Sequence, residues 1–125
     1  MITGTGTDII EVQRIAEKLS RSSGFREHVF SASEISYCEK QKHPAMHYAA
    51  RWAAKEAYLK ARGVEFIGNH RLPEIEVLHH DHGKPYLHLS GASAEDIEQL
   101  TGTRIHLSLS HTMQYAIALV IIETL

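Results

Sequence analysis

The spacing of apolar residues changes period several times along the chain, and each change marks an element. Ile2 to Ile10 interleaves threonine and isoleucine with Gly4 and Gly6, which predicts a short strand reaching Asp8. From Glu11 to Ser22, Val12, Ile15, Ala16 and Leu19 recur at helical spacing, with Gly24 as a natural stop. Ser31 or Ser33 can cap a further helix running toward Lys42. His43-Pro44 is then a boundary, because proline favours the first helical position. The longest predicted helix runs from Pro44 to Ala61 and ends at Gly63.

The second half has β texture. Ile75, Val77 and His79 alternate with Glu74, Glu76 and Leu78. A turn over Asp81 to Lys84 leads into Tyr86 to Leu89, and the pair reads as a hairpin. Ala92 to Leu100 resembles a short helix with Ser93 as a possible cap. Ile105, Leu107 and Leu109 alternate cleanly, which predicts a strand with one buried face. Tyr115 to Ile122 is a continuous apolar run expected to form a central strand, joined tightly to its predecessor through His111 to Gln114. This order implies an α+β fold with helices packed on one antiparallel sheet, in a single small domain over residues 1–125.

Composition narrows the classes. The chain is 43% hydrophobic and 22% charged, hence globular, and a net charge of −2 gives no global basic excess for nucleic acid. Asp8 and Glu11 interrupt the apolar start, so no secretory leader is expected, and the longest apolar run is far short of the roughly 20 residues that span a membrane. Cys38 is the single cysteine, which excludes an internal disulfide and makes the cytoplasm the expected compartment. Ten histidines include His43 and His47 at helical spacing and His79, His80 and His82 together. Without a third ligand or an accompanying glutamate, these read as surface histidines rather than a metal site.

The chemistry concentrates in "RWAAKEAYLKARG", Arg51 to Gly63, where charges interrupt an apolar helix. Glu56 and Lys60 are four apart, in the order that also suits an ordinary exposed ion pair. Asp8 follows a Gly-Thr-Gly-Thr run, where it is either a helix N-cap or a site carboxylate. Two carboxylates with waters and a phosphate oxygen are enough to hold Mg²⁺. "HGKP", His82 to Pro85, is a turn that carries Lys84. "LSLSHT" offers Ser108, Ser110, His111 and Thr112, whose side chains suit phosphate oxygens.

Taken together, "GTGTDIIEVQRI", "RWAAKEAYLKA", "HGKPYL" and "HLSLSHT" resemble, in order and spacing, the motifs of the holo-[acyl-carrier-protein] synthases, the small bacterial 4′-phosphopantetheinyl transferases. The resemblance implies that family's fold and its reaction. The phosphopantetheine arm of coenzyme A moves to a serine of apo acyl carrier protein, in support of fatty acid biosynthesis, and adenosine 3′,5′-bisphosphate is released. It implies Asp8, Glu56 and Lys60 as catalytic residues, with Asp8 and Glu56 holding Mg²⁺. Coenzyme A contacts would come from Arg51, Lys60, Lys84, Pro85 and His111, with Arg51 and His111 at the 3′-phosphate. The serine proton would pass to Glu56 or to a water on the metal. A homotrimer with sites between neighbouring chains is also implied.

Arg14, Lys18 and Arg21 form one basic stripe on the first helix; by itself it reads as a solvated face, and the resemblance, which implies an acidic carrier protein, makes it the expected docking face. The chain departs from the family in two places: "ARGVEFIGN" replaces the usual A-[F/L]-G-T-G loop, and His82 stands where an asparagine is common. A metal-dependent phosphohydrolase using the same carboxylates, and a non-enzymatic trimeric module, are the rival readings.

Overall fold

A computed structural model describes residues 1–21, 23–63, 71–98 and 102–125. Strand β1 (Ile2–Glu11) runs straight into helix α1 (Val12–Arg21). Three helices follow: α2 (Phe25–Val29), α3 (Ala32–Glu39) and α4 (Pro44–Arg62). A 3₁₀ turn (Leu72–Glu74) leads into the hairpin of β2 (Ile75–His79) and β3 (Pro85–Leu89). Helix α5 (Gly91–Glu98) precedes the long hairpin of β4 (Thr103–His111) and β5 (Tyr115–Thr124).

The strands form two antiparallel sheets rather than the single one expected. One has the order β1-β5-β4, so β5 is central as its apolar run suggested, and β2-β3 stands apart as a two-stranded hairpin. Helix α4 lies across the inner face of the larger sheet. Ala116, Ala118, Val120 and Ile122 of β5 are buried against the buried Ala53, Ala54, Ala57 and Ala61 of α4. The alternate residues of β5 face outward, and Tyr115, Ile117 and Leu119 stay 48%, 44% and 43% exposed.

Local signals place the helices. Ser31, not Ser33, caps α3: its hydroxyl accepts from the Glu34 N–H while the Glu34 carboxylate accepts from the Ser31 N–H. Gly63 closes α4 in the left-handed conformation at φ 71°. Two expectations need correction. Asp8 is no N-cap, because β1 continues past it to Glu11. Ser93 lies buried inside α5 rather than capping it; the expected end at Leu100 falls outside the described residues. Helix α2 was not foreseen, since five residues are too few to show a period.

The charge nearest the centre is structural. Lys55 is fully buried, and its ammonium donates to Glu34 Oε1 at 2.7 Å and to the carbonyls of Leu72 and Ile75 at 2.9 and 2.6 Å. Burial pulls its pKa down and Glu34 opposes that. Glu34 Oε2 in turn accepts from the Val77 N–H, so one ion pair ties α3 and α4 to the β2 hairpin. Removing one partner of such a pair strands the other charge in the core. Lys55→Met is therefore expected to cost about 3–5 kcal/mol in urea denaturation; unchanged stability would refute this role.

Candidate active site

Asp8 reaches α4 because of Gly4 and Gly6. These residues share the inward face of β1 with Asp8 and Ile10, and there they meet the backbone of α4 directly. A Cβ on Gly6 would overlap the carbonyl oxygen of Ala57 and lie 2.7 Å from the Ala61 nitrogen. A Cβ on Gly4 would overlap the Ala61 carbonyl oxygen. With no side chains between strand and helix, Asp8 lands beside the one face of α4 that carries Glu56 and Lys60, four residues apart.

The three side chains form one cluster. Lys60 Nζ donates to Asp8 Oδ1 at 3.1 Å and to the Thr7 carbonyl at 3.0 Å. The lysine side chain is 55% exposed and that of Asp8 15%, so the pair sits at a rim. Burial raises the pKa of Glu56, the charge of Asp8 raises it further, and Lys60 opposes both. The cluster thus holds two mutually repelling carboxylates with one partly solvated cation, a set of hard oxygens that a divalent cation relieves. Among the described residues no group of three or more His, Cys, Asp and Glu is placed to hold a metal, so further ligands would be water or a phosphate.

A second cluster lies on another face of α4. Arg51 is 2% exposed, and its Nη1 donates to the His47 carbonyl at 3.1 Å. Its guanidinium carbon stands 4.2 Å from the centroid of the Tyr37 ring. Among the described residues, Nε and Nη2 have no hydrogen-bond acceptor. His111, at the end of β4, meets His47 edge-on at 5.4 Å, so the structure brings the expected pair Arg51 and His111 to one place. Pro85 pairs with His79 across the hairpin, and His79 stacks on Tyr37 at 4.6 Å, which sets the turn of Lys84 beside the same cluster. Lys84 itself is exposed.

Two features of "LSLSHT" separate. Ser108 and Ser110 face outward from the sheet with Leu119 and Ile117 beside them in register, whereas His111 has the opposite parity. Thr112 serves the turn: its hydroxyl accepts from the N–H groups of Gln114 and Tyr115. Arg14, Lys18 and Arg21 do share one surface of α1, with Glu17 among them. Lys18 leans over Phe25 and Trp52, 5.7 and 5.9 Å from their ring centres. The departed loop lies outside the described residues from position 64 to 70. Sequence reasoning missed Tyr37 and His79 as neighbours of Arg51. The available signal was His47 four residues before Arg51, read there only against His43.

A long helix laid on a three-stranded antiparallel sheet, with a separate two-stranded hairpin, matches a known class. The family model of the 4′-phosphopantetheinyl transferase superfamily matches residues 4–120. The holo-[acyl-carrier-protein] synthase of Syntrophus aciditrophicus is 42% identical over 126 residues, covering 100% of this chain and 98% of the relative. That of Clostridium tetani is 44% identical, covering 98% and 97%. Among solved structures, the synthase of Neisseria meningitidis superposes with a TM-score of 0.90 at 30% identity, covering 99% and 100%. The Bacillus anthracis synthase, in complex with coenzyme A (3′,5′-ADP), gives 0.82 at 36%, covering 99% and 98%.

The chain therefore belongs to the 4′-phosphopantetheinyl transferase superfamily, within its holo-[acyl-carrier-protein] synthase family. It is an enzyme of the transferase class.

Proposed function

We propose that the chain moves the 4′-phosphopantetheine arm of coenzyme A onto a serine of apo acyl carrier protein, releasing adenosine 3′,5′-bisphosphate, as a step supporting fatty acid biosynthesis in the cytoplasm. The convergence of Asp8, Glu56 and Lys60 from a strand and a helix far apart in sequence carries this reading. A bound Mg²⁺, held by Asp8 and Glu56, would supply charge neutralisation at the pyrophosphate. Lys60, exposed at the rim, adds positive charge where the leaving oxygen becomes anionic. The serine proton goes to Glu56 or to a water held beside it. Arg51 and His111 engage the 3′-phosphate, and the guanidinium nitrogens of Arg51 that have no acceptor among the described residues support that role.

The two clusters sit on different faces of α4, so one substrate spans them most simply between neighbouring chains. The outward Ile9, Tyr115, Ile117 and Leu119 make an apolar sheet face suited to a subunit contact. We infer a homotrimer of single-domain subunits with the sites at its seams. Helix α1 starts where β1 ends, so the stripe of Arg14, Lys18 and Arg21 lies on the stretch of chain that carries Asp8 and is the docking face for the acidic carrier. Arg14→Glu is expected to raise KM for carrier protein about tenfold, more at low salt, and to leave KM for coenzyme A unchanged. An unchanged KM for the carrier would remove this surface from the account.

The decisive test is the intact mass of an apo acyl carrier protein after incubation with the enzyme, coenzyme A and Mg²⁺. A gain of one phosphopantetheine, abolished by EDTA, is expected. Adenosine 3′,5′-bisphosphate released with no gain in carrier mass would instead support a phosphohydrolase.

A further inference from the structure

Tyr37 is held in a position that the proposed reaction does not explain by itself. It lies on α3, away from the carboxylates, yet its ring is the common platform of three neighbours. The Arg51 guanidinium carbon stands 4.2 Å from its centroid, and the His79 ring stacks on it at 4.6 Å and 20°. The His47 ring meets it edge-on at 5.8 Å and continues to His111 at 5.4 Å. A single aromatic row thus runs from the β2 hairpin through α3 and α4 to the end of β4.

The row does something specific to Arg51. A buried guanidinium with one carbonyl partner and two unsatisfied nitrogens would ordinarily turn toward water or a carboxylate. Among the described residues no carboxylate pairs with Arg51. Its compensation comes from the face of Tyr37, which attracts the cation without using any of its donors. A carboxylate in that place would hold the guanidinium equally well, but it would occupy the donors and repel a phosphate. The neighbouring histidines fit the same arrangement. Burial, followed by the charge of Arg51, lowers the pKa of both His47 and His79, which disfavours their charged forms as rivals to the guanidinium.

We propose that Tyr37 is a positioning residue for nucleotide specificity: stacked between α4 and the hairpin, it presents Arg51 with free donors to a terminal phosphate monoester, and through His47 it orients His111 toward the same group. This rests on the reading of Arg51 as a contact of the 3′-phosphate. The prediction concerns discrimination between coenzyme A and 3′-dephospho-coenzyme A, which lacks only that phosphate.

The test compares KM for the two donors, with carrier protein saturating, for the unmodified enzyme and for Tyr37→Leu, Tyr37→Phe, His79→Ala and Arg51→Met. Tyr37→Leu should raise KM for coenzyme A about tenfold and leave KM for the dephospho donor unchanged, with kcat nearly constant. Tyr37→Phe keeps the ring face and should behave like the unmodified enzyme. His79→Ala should shift the ratio in the same direction by a smaller factor, and it decides the matter if Tyr37→Leu does not fold. Equal losses for both donors, or a Tyr37→Phe protein as impaired as Tyr37→Leu, would overturn the proposal. If Arg51→Met leaves the donor ratio unchanged, the phosphate contact itself is wrong and the proposal falls with it. If only Arg51→Met moves the ratio, the contact stands and Tyr37 is not its positioning residue.

Discussion

Glu56→Gln and Asp8→Asn should each slow phosphopantetheine transfer by about 10²–10³-fold, the usual loss when one preorganised electrostatic group is removed from a phosphoryl or acyl transfer site. Stability should respond differently in the two variants. Glu56 carries a charge that burial and Asp8 both disfavour, so neutralising it relieves repulsion and should leave Tm unchanged or slightly raised. Asp8→Asn gives up the pair with Lys60, whose side chain is 55% exposed, and an exposed pair of that kind contributes less than about 1 kcal/mol. Loss of activity with intact thermal unfolding is therefore the expected result for both. A Glu56→Gln protein that keeps full transfer activity would return the site to an inert surface ion pair. A large fall in Tm would mean that the carboxylates serve the fold.

Gly6→Ala should be the more damaging substitution although it adds one methyl group far from any proposed reacting atom. The new Cβ would overlap the carbonyl oxygen of Ala57 and lie 2.7 Å from the Ala61 nitrogen, and neither backbone atom can rotate away as a side chain would. The strand must lift from α4, opening the contact that Ala57 and Ala61 make with β1 and β5. Overpacking of this kind costs about 3 kcal/mol, on the order of 10 °C in Tm for a domain of this size. Because Asp8 follows two residues later on the same inward face, lifting the strand also withdraws it from Lys60 and Glu56. Activity should fall even at temperatures where the variant remains folded, visible as reduced kcat well below its lowered Tm. Full activity with unchanged Tm would show that the strand is not pressed against the helix.

Gly4 and Gly6 show how a sequence signal can be read correctly for one purpose and missed for another. In the sequence they mark a strand and a motif. Only the structure shows their physical use, the close approach of two backbones. Lys55 is the reverse case. It neighbours Glu56 in the sequence, but consecutive helical residues are rotated by about 100°. That rotation takes Lys55 to Glu34 in the core, whereas Glu56 stays at the rim. The alternation of β4 was equally legible: residues that alternate with a buried Leu107, as Ser108 and Ser110 do, form the polar face and leave the face on which His111 lies.

By itself the sequence determined the α+β order, the long helix with its proline start and glycine end, the hairpins, and the residue types of the carboxylate–lysine cluster. These depend on short-range periodicity and on turn and cap chemistry, which act over a few residues. Tertiary structure decided what depends on distance through space: that Asp8 lies within 3.1 Å of Lys60, that the strands divide into two sheets, and that the charges of α4 serve different faces. It also placed Tyr37 and His79 around Arg51. Those contacts join α3, α4 and a hairpin that follows both, and no local pattern encodes a pairing made only when three separate elements pack together.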